Sequence, residues 1–161
     1  DYMKKILYII IILLGAFLLS GCESQKEFTI DDLTITLPKE FEQKEMDGYL
    51  AYLESKEVGI TFLEETFTDL ETIGLNKDST LEDYANAVKE SNNANYEIKE
   101  GNNYLYFIYD NTVDETAYHY MSNVFKSDDE FYLITFFCFK EDTEKYESEF
   151  IKWADSIILK K

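Results

Sequence analysis

One imidazole and two thiols bound the nucleophilic and metal chemistry this sequence can hold. His119 is the sole histidine, so a Ser–His–Asp arrangement has to pass through it, and no G-x-S-x-G elbow accompanies it. Set in Tyr118-His119-Tyr120, it reads as a structural or rim residue. Cys138, in Phe136-Phe137-Cys138-Phe139, reads as a small buried hydrophobe. One His and one such Cys leave carboxylates to complete any zinc site, so none is expected. Glu64-Glu65, Asp128-Asp129-Glu130 and Glu141-Asp142 lack the spaced ligands of an EF-hand loop and read as solvated acidic surface. Carboxylate pairs suited to glycoside hydrolysis occur by chance among 33 acids, so they carry no information. No catalytic residue, metal ligand or cofactor is assigned.

Tyrosine offers a different chemistry, an apolar body with a polar tip, as binding surfaces often require. Tyr104, Tyr106, Tyr118, Tyr120 and Tyr132 fall on neighbouring strand signals and form the candidate binding surface. Their alternative role is to fill the layer between sheet and helix.

Charge narrows the partners. The chain carries 15 Lys, no Arg and 33 acids, a net charge of −18. Without Arg there is no planar fork for phosphate, and nucleic acid binding is excluded as an expectation. An anionic membrane face would be repelled as well. Aromatics make up 16% of residues, which argues for a packed core.

The elements that must position these residues begin after an amino-terminal signal. Met3-Lys4-Lys5 precedes an apolar run from Ile6 to Leu19, too short to span a bilayer comfortably, where about 20 residues are needed. Leu19-Ser20-Gly21-Cys22 resembles the lipobox of bacterial lipoproteins. That resemblance implies diacylglycerol on Cys22, cleavage before it, and residence on the extracytoplasmic face of the cell membrane. Two acyl chains make a firm anchor. The expected organisation is a signal peptide over 1–21, a lipidated tether over 22–27 and one domain over 28–161.

Within that domain, alternation predicts strands at Leu33 to Leu37, Tyr49 to Leu53 and Val58 to Leu63, then a loop from Thr66 to Lys77. Ser79 and Glu82 have capping-box spacing, and Leu81, Tyr84, Ala85 and Val88 continue as an amphipathic helix to about Ser91. Four strand signals follow at Asn95 to Lys99, Tyr104 to Tyr109, Thr116 to Phe125 and Glu130 to Phe139, with Asp110 to Asp114 read as a connecting turn. The last segment, Asp142 to Ile158, sets Tyr146, Phe150, Trp153, Ala154 and Ile157 on one stripe of a closing helix.

Short turns between strands imply an antiparallel meander, and strands apolar on both faces imply cover on both sides. The fold class is therefore α+β, an antiparallel sheet flanked by helices, preceded by an amino-terminal signal helix. Ile35-Thr36-Leu37-Pro38 with Phe41, the helix Leu81-Glu82-Asp83-Tyr84-Ala85, the meander, and the closing Phe150, Trp153 and Ser156-Ile157 together resemble the Mog1/PsbP-like superfamily. This resemblance implies an α/β/α sandwich and an accessory or binding role. The functional expectation is a membrane-tethered, non-catalytic binding module for an envelope protein or a small ligand. An envelope hydrolase using a carboxylate pair, or an assembly subunit of a membrane complex, are the competing expectations.

Overall fold

The computed structural model of the protein describes residues 24–92 and 94–160. The expected signal peptide and Cys22 lie outside the described residues. The chain runs through β1 (Gln25–Ile30), β2 (Leu33–Pro38), β3 (Glu42–Lys44), β4 (Ala51–Glu54) and β5 (Val58–Thr66). A short helix α1 (Phe67–Leu70) and a 3-10 turn (Glu71–Ile73) lead to α2 (Leu81–Ser91). Then come β6 (Lys99–Glu100), β7 (Leu105–Val113), β8 (Thr116–Lys126), β9 (Glu130–Phe139), a 3-10 turn (Lys140–Asp142), α3 (Thr143–Asp155) and β10 (Ile158–Leu159).

Seven strands form one antiparallel sheet in the order β3-β4-β5-β9-β8-β7-β6, and β1-β2-β10 form a separate small sheet. Even residues of β9 and odd residues of β8 point to one face. There Tyr132, Ile134, Phe136, Cys138, Met121 and Phe125 join a core with Ile35 and Leu37 of β2 and with Phe150 and Trp153 of α3. Trp153 meets Phe41 edge-on, with ring centroids 5.3 Å apart. Ser156, just past α3, accepts the Thr36 N–H at 3.0 Å and ties the helix end to the small sheet. The opposite face holds a second core, in which Phe107, Val124 and Phe131 pack against Tyr84 and Ala85 of α2 and against Leu70 and Leu75.

The mixed α+β, doubly covered antiparallel architecture is thus present, with four corrections. One cover combines a helix with the small sheet. Gln25 to Glu27, expected in the tether, belong to β1 and pair with β2 between Thr36 and Pro38. The segment from Thr66 is in part α1, capped by Thr66, whose hydroxyl accepts the Asp69 N–H. The capping box of α2 is shifted by one residue to Thr80 and Asp83, because the Ser79 hydroxyl accepts the Asn76 N–H at 3.0 Å instead. Among the described residues no helix is long and apolar enough to cross a membrane.

Candidate binding groove

Strand register orders the second face of the large sheet into rows that cross the strands. Next to the row of Glu65, Phe131 and Lys126, which meets Tyr84 of α2, is an apolar row, Leu63, Leu133, Val124 and Leu105. Next is a hydroxyl row of Thr61, Thr135 and Ser122, ending on Phe107. Beyond it lies an aromatic row, Gly59, Phe137, Tyr120 and Tyr109. Helix α2 packs over the apolar end, with Tyr84 stacked on Phe131 at 4.5 Å. The hydroxyl and aromatic rows floor an open groove of about 1100 Å³, walled by Met46 and Tyr49 and by Asn92, Ala94 to Glu97 and Lys99.

Within the floor, rings stack upon each other across the strands. Tyr109 and Tyr120 are nearly parallel, with centroids 5.0 Å apart, and Tyr52 lies parallel to Phe137 at 6.5 Å. Tyr96 covers Phe107 at 4.2 Å and lies 5.5 Å from Tyr109. Rings stacked in this way spend their faces on each other and offer edges and hydroxyls to an occupant. Below them the Ser122 and Thr135 hydroxyls share a hydrogen bond of 2.8 Å, and Tyr109 reaches Ser122 at 3.4 Å. Burial pushes the Tyr96 phenol up to about 12 and also raises that of Tyr109, so both are neutral donors at ordinary pH. The groove therefore combines apolar surface with a few hydroxyls and the charged Glu97, Lys99, Asp110 and Glu147, and among the described residues its lining includes no histidine or cysteine.

Of the five candidate tyrosines, Tyr118 and Tyr120 lie on this face. The other three point to the opposite one. Tyr104 is buried and donates to Asp155 at 3.0 Å, Tyr132 is buried and donates to Glu130, and Tyr106 packs on the first core. Tyr49, Tyr96, Tyr109, Phe137, Ser122 and Thr135 join Tyr120 in the groove with no local sequence pattern to group them. The missing signal was register. Asp114 and Glu115 both have positive φ, 47° and 68°, and close a two-residue hairpin in which Val113 faces Thr116. Reading a five-residue loop there left the parity of β7 against β8 undefined.

His119 and Cys138, which would have to supply any imidazole or thiolate, lie on the first face. Asp110, His119 and Cys138 stand side by side across β7, β8 and β9. The Asp110 carboxylate accepts from His119 Nδ1 at 2.8 Å and pairs with Lys140. Those two bonds, Lys140 first, hold the Asp110 carboxyl below its ordinary value. His119 Nε2 is buried with no hydrogen-bond partner. Cys138 is 1% exposed, and burial, aided by Asp142 and Asp110, pushes its thiol up to about 11, so it is not a thiolate. His119 and Cys138 are thus sealed in the core, while Asp110 is exposed at the sheet edge.

A second gathering of acids joins two of the clusters read as surface. Carboxylate oxygens of Asp31, Glu64 and Glu130 lie within 4.8 Å of one another. Hydrogen bonding to Glu130, then burial, then the charges of Glu130, Asp31 and Asp32, push Glu64 up to about 7.

Against known proteins, no family model matches the chain, and no curated protein matches it. Among solved structures, the chain is similar to one from Bacteroides thetaiotaomicron, with a TM-score of 0.59 and 12% identity over 84% of this chain and 48% of that one. The fold is shared. The chain spans about half the length of that structure. A cyanobacterial PsbP from Synechocystis, CyanoP, is also similar, at 14% identity over 88% of this chain and 95% of that one, with a TM-score of 0.41; at that score the likeness carries no argument.

Proposed function

We propose that the chain is a lipid-anchored, extracytoplasmic binding module of Mog1/PsbP-like architecture, with no chemistry of its own, and that its occupant sits in the second-face groove. One observation carries the reading. The half of that face left bare by α2 is lined by Tyr49, Tyr96, Tyr109, Tyr120 and Phe137, an aromatic content typical of recognition surfaces rather than of plain solvent-facing sheet. The buried state of His119 and Cys138 supports the absence of imidazole or thiolate chemistry. The lipobox-like Leu19-Ser20-Gly21-Cys22 supports the anchor. With β1 beginning at Gln25, Glu23 and Ser24 alone separate Cys22 from the folded domain, so at about 3.5 Å per residue the anchor would hold the domain itself against the bilayer.

The test compares variants for rescue of a gene deletion, at equal abundance and with folding checked beside function. Tyr120→Ala should fail to rescue while His119→Gln rescues fully. A folded His119→Gln protein that behaves like the deletion would overturn the non-catalytic reading.

A further inference from the structure

Beside the groove, the large sheet ends unfinished. Strand β6 pairs only Lys99 and Glu100 with Tyr106 and Leu105, while β7 continues to Val113. Because Val113 and Thr116 close a two-residue hairpin, the odd residues of β7 bond to β8 and the even ones turn their N–H and C=O groups outward. Tyr106 is satisfied by β6, and the Thr112 N–H is taken by the Asn111 side chain at 2.9 Å. Ile108 and Asp110 are left, and among the described residues no backbone group pairs with their outward N–H and C=O groups.

The residues Phe107 to Asn111 line the groove from this edge, and Asn95 to Glu97 line it as well. We infer that the free edge of β7 receives an extended polypeptide segment rich in Lys or Arg, which pairs with Ile108 and Asp110 as an added strand. This inference rests on the groove reading and names the class of occupant. Main-chain donors and acceptors at strand spacing are matched by another strand, and pockets beside the edge take alternate side chains. Charge selects the kind of strand. Glu97 and Glu147 line the groove without an ion-pair partner among the described residues, Lys99 is the one cation in that lining, and the chain carries −18 overall. A second copy of this chain would bring the same negative charge to the edge, so the partner is a different, basic segment.

The probe is a short capped peptide alternating Lys with Val, titrated into the full chain in neutral detergent. Three peptides are compared: the parent, one N-methylated at alternate residues, and one with Glu for Lys. The parent should bind and slow hydrogen exchange at the Ile108 and Asp110 amides. N-methylation should weaken binding by about tenfold or more, since it removes two or more main-chain bonds. The Glu peptide should not bind. Ile108→Pro, which deletes an outward N–H without touching the β8 ladder, should match the N-methyl effect, with Ile108→Val as the control. Equal binding of the N-methylated peptide, or no binding of the parent, overturns the proposal. So does protection of Ile108 in the free protein. That would mean the chain's own Glu97 has zipped onto Ile108, or, if it grows with protein concentration, that a second copy occupies the edge. Sensitivity to Tyr120→Ala without sensitivity to N-methylation or Ile108→Pro would leave the groove reading standing and remove the added strand.

Discussion

Phe137 lies over its cross-strand neighbour Gly59, its ring filling the space that a Cβ on that glycine would need. The missing side chain lets the aromatic row of the groove floor extend flat onto β5, a place where a glycine has a packing reason for its absence of bulk.

Gly59→Ala should therefore displace the Phe137 ring. The nearest obstruction to the new methyl is the outer end of that ring, and the ring borders the open groove, so the cost in urea denaturation should stay near the low end for overpacking, about 1 kcal/mol. The double variant with Phe137→Ala should cost less than the sum of the two single changes. Additive effects would mean that the ring and the glycine are independent.

Trp153 is buried, with ring centroids 5.8 Å from Phe150 and 6.3 Å from Phe136. Trp153→Ala should destabilise the domain by roughly 3–5 kcal/mol. Intrinsic fluorescence should be that of a shielded indole, poorly quenched by iodide. Emission like free indole in water, with full quenching, would contradict this packing.

The Glu64–Glu130 pair sets a pH response. In the folded chain Glu64 titrates at about 7, against an ordinary value of 4.5. Below the lower value both states are protonated and nothing is lost. Between the two values the folded state holds the extra proton, so stability falls as pH rises, and the loss is complete above about 7. Asp31, Asp32, Glu130 and the Tyr132 hydroxyl are the groups that act on this carboxyl or its partner. Glu64→Gln should leave Tm almost unchanged near pH 5 and raise it near pH 8, at about equal ionic strength. A lower Tm for the variant near the upper pH would show that the ionised pair is stabilising.

Cys22→Ala should abolish lipid labelling and shift the protein from the membrane fraction towards an unprocessed or soluble form, because the run before it is shorter than the roughly 20 residues of a stable span. Labelling that persists in the variant would place the lipid elsewhere or remove it from the account.

Much of the architecture was legible because it rests on local periodicity. The near-continuous apolar run after Glu130, bounded by Ser127-Asp128-Asp129, sets the strand bounds of β9, and the period of Leu81, Tyr84 and Ala85 marks the inward face of α2. Long-range pairing was not legible. Nothing in Gln25 to Glu27 foretold a partner in Thr36 to Pro38, and a strand signal at Asn95 to Lys99 did not show that pairing would begin only at Lys99. The groove was half legible for the same reason. Tyr118 and Tyr120, two residues apart on one strand, share a face, whereas Tyr109 and Phe137 could join them only once register was fixed. A single unrecognised turn at Asp114 and Glu115 was enough to hide it, since a one-residue slip moves every side chain to the other face.

The measurement that bears most directly on the binding reading is site-specific photocrosslinking in intact cells. A benzophenone side chain is placed at Tyr120, on the groove floor, and in a separate variant at Ile73, which is exposed away from the groove lining. A discrete adduct is expected from the Tyr120 position, reduced by Phe137→Ala in the same chain, and none from Ile73. Equal adducts from both positions, or none from Tyr120 in a folded and membrane-bound protein, would contradict it.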